Sequence, residues 1–193
     1  SYVQPLTEPA GIELMTCNVE EPGALDQLIA SAVDKLGHFD FVIHSIAWAP
    51  LEDLHANVTD TSSAGFARAM EVSCHSFATL AKLCTPHMPH GGSLLTMSYL
   101  GANEVVPHYG LMGPVKAALE SLVRYMALEL GPKGIRVHAV SPGPILTRAA
   151  SGIESFDELM ERNIAKSPLG RLVKLEEIAN LSTFLCTDRK SVV

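Results

Sequence analysis

The nearly continuous apolar run Phe39 to Ala47 constrains this chain most, and two further strands are expected at Ser93 to Ser98 and Ile135 to Val140. Strands with one solvated face alternate apolar and polar residues, whereas strands covered on both faces do not. The intervening segments repeat apolar residues at helical spacing. Leu25, Leu28, Ile29, Ala32, Val33 and Leu36 recur in this way between Pro22 and Gly37. Longer helices are expected from about Ser63 to Leu83, with Thr61 or Ser62 as cap, and from Tyr109 to Leu130. A short apolar run, Ile12 to Cys17, is expected as a buried strand, and two helices near Phe156 to Ala165 and Leu175 to Cys186 complete the chain. Strand and helix alternate, and the connections are long enough for parallel crossovers. The pattern predicts an α/β doubly wound parallel sheet, residues 1–193 forming one domain.

In such sheets ligands bind beyond the carboxyl ends of the strands. Those ends carry Asn18-Val19, Ser45-Ile46-Ala47, Ser98-Tyr99 and Pro142-Gly143-Pro144-Ile145, and the topology converges them on one crevice. The net charge of -7 argues against a phosphate-backbone binder, so no nucleic acid is expected. No apolar run is long enough to cross a bilayer, and no membrane partner is expected. The four cysteines, Cys17, Cys74, Cys84 and Cys186, lack Cys-x-x-Cys spacing and read as reduced thiols of a cytoplasmic protein. The histidines show no metal spacing, and no metal site is expected.

Tyr109 and Lys116 lie seven residues apart in the stretch that follows the Ser93–Ser98 strand. On a helix that separation turns through roughly 700° and returns both side chains to one face. An ammonium beside a phenol favours the phenolate, so the pair can donate a proton or a strong hydrogen bond at neutral pH. Tyr99 precedes Tyr109 by ten residues. Pro114 falls one turn into the expected helix, where a backbone hydrogen bond is lost unless the helix starts late.

Taken together, Tyr109-x6-Lys116, the Ser45-Ile46-Ala47 stretch, Ser98-Tyr99-Leu100-Gly101 and Pro142-Gly143-Pro144-Ile145-x-Thr147 resemble the short-chain dehydrogenase/reductase superfamily. Within it they resemble the NADH-dependent enoyl-acyl-carrier-protein reductases, over essentially all 193 residues. The related 3-oxoacyl reductases carry a serine thirteen residues before the tyrosine. Here that position is Thr96, and Tyr99 is the feature they lack.

The resemblance implies a Rossmann-like fold and a reaction in which a trans-2-enoyl thioester is reduced at its β-carbon. Tyr109 would stabilise the developing oxyanion, Lys116 would hold the nicotinamide ribose, and Tyr99 would line the acyl pocket near the reacting carbons. Asn18, Val19, Ser45, Ile46, Ala47, Ile145 and Thr147 would contact NADH. Ala49, Met112, Phe156 and Met160 would join Tyr99 on the substrate side, with residues 145–170 as the substrate-binding segment. An acyl-carrier-protein-bound substrate and a homotetramer are further implications.

Two residues depart from the family pattern: Asn18 stands where aspartate is usual, and Ala47 where glycine is usual. An amide oxygen still accepts from an adenine amino group. The family's glycine-rich turn, which cradles a pyrophosphate at a helix N-terminus, has no counterpart in these residues, and neither does its last strand. The 193 residues in isolation are therefore expected to bind NADH poorly and turn over little. A short-chain dehydrogenase acting on a ketone or alcohol, and a non-catalytic remnant that only oligomerises, are the alternative readings.

Overall fold

The computed structural model describes residues 3–145 and 156–187, without the side chains of 156–159. Three parallel strands, β1 (Phe41–His44), β2 (Gly92–Met97) and β3 (Ile135–Val140), form a sheet in the order β1-β2-β3. Register pairs His44 with Thr96 and Met97 with Val140, so all three strands end along one edge. The helices are α1 (Gln4–Thr7), α2 (Ala24–Leu36), α3 (Leu51–His55), α4 (Ser63–Met70), α5 (Ser76–Cys84), α6 (Met112–Leu130), α7 (Phe156–Lys166) and α8 (Leu175–Thr187).

Successive strand residues point to opposite faces, and β2 shows the consequence. Leu94 enters a large core with Leu25 and Ile29 of α2, Phe77 and Leu80 of α5, and Val115 and Leu119 of α6. Leu95 enters a smaller core with Val140 and Ile178 of α8. Both faces of β2 are therefore covered, and the doubly wound arrangement is observed. Two glycines open β2 because backbones close in there. A Cβ on Gly92 would lie 2.3 Å from the Asp40 carbonyl oxygen, and one on Gly91 would lie 2.4 Å from that of Gly134.

Three local features differ from the sequence expectation. Residues 12–17 form no strand: a parallel ladder needs a neighbour about 4.8 Å away, and none pairs with this run among the described residues. Ile12, Leu14 and Met15 are exposed, as are Phe41 and Ile43 of the edge strand β1. The expected helix from Ser63 to Leu83 is interrupted by a π-turn over Glu71–His75, where the Ser76 N–H reaches back five residues to the Glu71 carbonyl. Ser62 supplies the cap, accepting from Gly65 N at 3.0 Å. Finally, α6 starts at Met112 rather than Tyr109. His108 and Gly110 adopt φ of 62° and 47°, which no α-helix accommodates. The late start puts Pro114 in the first turn, where the missing N–H costs nothing.

Candidate active site

The carboxyl ends of β2 and β3 are tied together by a 2.7 Å hydrogen bond from Ser98 N to the Val140 carbonyl. Beyond them, Tyr99 and Tyr109 meet edge to face, with ring centroids 4.8 Å apart. Tyr109 is 7% exposed and lies in the turn before α6, not on the helix. The expectation of two side chains stacked on one helical face therefore gives way to a buried phenol held by the loop. Burial, and secondarily Tyr99, pushes the Tyr109 phenol above its ordinary range. The expected bias toward phenolate is reversed, and Tyr109 is a neutral donor. Its ring fits over Gly101, whose absent Cβ would fall 2.4 Å from Cδ1.

Lys116 sits one turn into α6 and is 5% exposed. Its Nζ donates to the Met97 carbonyl at 2.7 Å, at the last residue of β2. Burial lowers its pKa to about 8, opposed by the nearby Cys74 and Glu120. Glu120, one turn further along α6, accepts from Ser98 Oγ at 2.6 Å and from Asn103 Nδ2 at 2.8 Å. One carboxylate thus straps both ends of the Tyr99 segment to the helix that carries Lys116. A Glu four residues beyond a Lys was the sequence signal available for it.

Beneath the site lies His44, 1% exposed, tilted against the Phe77 ring at 5.1 Å. Ser76 Oγ donates to the Val72 carbonyl at 2.6 Å, so it accepts from His44 Nε2 at 2.8 Å. His44 Nδ1 lies 2.9 Å from the Thr96 hydroxyl, which also donates to the His44 carbonyl at 3.2 Å. Burial first, and the Lys116 charge second, lower the His44 pKa to about 4.

The segment after β1 leaves Ser45 and Ala47 exposed, while Ile46 and Ala49 are half-buried. The Asn18 side chain is engaged in its own turn: Oδ1 accepts from Glu20 N at 3.2 Å and Nδ2 donates to Glu21 Oε1 at 3.3 Å. Val19 packs against the large core, and Ile145 against the smaller one. Met112, at 7% exposure, is also part of the large core, a placement set by packing. Met160 is half-buried on α7, Phe156 opens that helix, and Thr147 lies outside the described residues. A cavity of about 300 Å³ runs between Tyr99, Val105 and His108 on one side and Arg162 and Lys166 of α7 on the other.

A buried ammonium at the sheet's carboxyl edge fits a dinucleotide's ribose. An ammonium has three protons, and among the described residues one is committed, to Met97. The other two suit a vicinal diol. The residues present thus fit the nicotinamide-ribose end.

The sequence profile of the family described as Enoyl-(Acyl carrier protein) reductase matches residues 1–193. The Rhizobium meliloti protein named enoyl-[acyl-carrier-protein] reductase [NADH] 1 is 42% identical over 192 residues, covering 99% of this chain and 71% of the relative. Among solved structures, the Aquifex aeolicus enoyl-[acyl-carrier-protein] reductase (NADH) superposes with a TM-score of 0.93 at 38% identity, over 98% of this chain and 76% of that one. The Anaplasma phagocytophilum reductase, solved in complex with NAD, gives 0.92 at 39% identity, over 98% and 74%. Sequence and fold agree, and this chain belongs to the enoyl-acyl-carrier-protein reductase family.

Proposed function

We propose that the protein carrying this sequence is an NADH-dependent enoyl-acyl-carrier-protein reductase, saturating the double bond of trans-2-enoyl thioesters in fatty-acid elongation. The observation that carries this reading is the buried Tyr109 beside Tyr99, with Lys116 at the strand edge. Bound NADH supplies the hydride. Hydride addition at the β-carbon moves negative charge onto the thioester oxygen, a proton from water then adds to the α-carbon to complete the saturation, and this chain's residues act on the transient charge. Tyr109 donates a hydrogen bond to the oxygen, in a site dry enough to make the donor count. Lys116 holds the ribose diol and supplies positive potential. Tyr99 walls the acyl pocket and keeps the Tyr109 ring in place.

On the cofactor side we assign Asn18 and Val19 to the adenine, Ser45, Ile46 and Ala47 to the loop facing the nucleotide, and Ile145 and Thr147 to the nicotinamide and pyrophosphate. On the substrate side we assign Ala49, Tyr99, Phe156 and Met160, within the segment 145–170. Arg162 and Lys166, at the mouth of the Tyr99 cavity, suit an acidic carrier protein. A homotetramer in the cytoplasm is part of the proposal. Tyr125 and Leu128, 67% and 77% exposed on α6, and Phe66 on α4 support subunit contacts through these helices. Among the described residues no helix is long and apolar enough to cross a membrane.

Substrate choice tests the reading. NADH oxidation is expected with a crotonyl thioester and not with a 3-oxoacyl thioester. The reverse preference would assign the protein to ketone reduction.

A further inference from the structure

The segment Ser45–Ala47 is held at both flanks by one helix. On the β1 side, Ser76 Oγ meets His44 Nε2 at 2.8 Å. On the other side, the Ser73 hydroxyl makes two bonds to Trp48, accepting from its N–H and donating to its carbonyl, both at 2.8 Å. From outside, the Arg68 guanidinium stacks over the Trp48 ring at 4.2 Å while pairing with Glu20. Arg68, Ser73 and Ser76 all belong to the α4–π–α5 helix.

The π-turn is what makes the grip possible. A regular α-helix turns about 100° per residue, so three consecutive residues do not share a narrow stripe. Over Glu71–His75 the wider turn buries Val72, Ser73 and Cys74 together, and Ser76 follows them inside. Ser73 is fully buried, and its single hydroxyl satisfies both the N–H and the carbonyl of Trp48, backbone groups that are costly to leave unpaired. Such turns persist mostly where function uses them.

We infer that Ser73, delivered inward by the π-turn and seconded by Arg68 from outside, is the positioning residue that fixes the cofactor-facing loop Ser45–Ala47. This rests on the proposed assignment of that loop to NADH. Ser73 is assigned no direct contact with cofactor or substrate. It acts through Trp48 by holding the loop backbone where the nucleotide meets it. Losing the grip therefore weakens cofactor binding and leaves the chemical step intact.

Trp48 is the only tryptophan of the 193 residues, so its fluorescence reports on the loop directly. In the protein carrying this sequence, Ser73→Ala is expected to red-shift Trp48 emission, increase its quenching by acrylamide, and raise KM for NADH about tenfold. At saturating NADH, kcat changes less than twofold. Ser182→Ala, which removes a buried hydroxyl on α8 bonded only along its own helix, is expected to leave all of these values at wild type. A folded Ser73→Ala protein with wild-type emission and wild-type KM overturns the inference. If Ser73→Ala does not fold, Arg68→Ala decides: a red shift and a KM about threefold higher support it, and wild-type values of both overturn it. Absence of NADH oxidation by the unsubstituted protein would sink the functional reading instead. The emission comparison would then still decide whether Ser73 holds the loop.

Discussion

Lys116 Nζ donates to the Met97 carbonyl across 2.7 Å, linking the second turn of α6 to the last residue of β2. The ammonium is fixed where strand β2 ends, one residue before the Ser98-Tyr99 pair. Burial lowers its pKa to about 8, so its charge is lost as pH rises through that value. We expect KM for NADH to rise across an alkaline limb centred near pH 8, and Lys116→Ala to show the weakened binding at every pH. Steady-state kinetics from pH 6 to about 10 would show both. For folding the sign is opposite: charging a buried lysine costs stability, so that cost disappears between pH 8 and the ordinary lysine value.

Glu120 raises the Lys116 pKa and also accepts from Ser98 and Asn103. Glu120→Ala removes both effects together. The buried Ser98 hydroxyl loses its acceptor, at a cost of about 1–2 kcal/mol in denaturant unfolding. The alkaline limb moves to lower pH than in the unsubstituted protein. A limb that stays in place would show that Glu120 does not act on Lys116.

Gly101 lies under the Tyr109 ring, and a Cβ there would stand 2.4 Å from Cδ1. Gly101→Ala must therefore push the ring away from Tyr99. The expected result is a kcat/KM at least tenfold lower for the enoyl thioester, with KM for NADH unchanged and stability down by about 1–3 kcal/mol. Gly131→Ala, where the added methyl meets nothing within 4 Å, is the matching control.

His44 is neutral in the fold, its pKa lowered to about 4 from 6.5. The unfolded chain binds the extra proton first, so stability falls as pH drops from 6.5 towards 4. The full loss is on the order of 3 kcal/mol. Chemical denaturation at pH 7 and pH 4.5 would measure it. His44→Gln should flatten that acid limb while lowering stability at pH 7.

Legibility in the sequence followed how local each feature was. Ile135–Val140 was readable to its last residue, because Ile135, Val137 and Val140 sit between Gly134 and the Ser141-Pro142 turn. Ile12–Cys17 was also read as a strand and pairs with none among the described residues, because a strand needs a partner that its own residues do not supply. The helix start was read three residues early: His108 is not a glycine, and nothing in its identity announces a φ of 62°. The π-turn disturbs a 3.6 period too briefly to be seen. At the site, Tyr99, Tyr109 and Lys116 were named from the motifs around them, and the fold brings the two tyrosine rings together. The Glu120–Ser98 strap and the Ser73–Trp48 grip span 22 and 25 residues, and only the fold brings those partners together.

The most direct test compares NADH oxidation with a crotonyl thioester by the protein carrying this sequence and by its Tyr109→Phe variant. With Tyr109 as the donor to the developing oxyanion, kcat should fall about 10²-fold while NADH binding stays unchanged. An undiminished kcat in Tyr109→Phe would contradict the account.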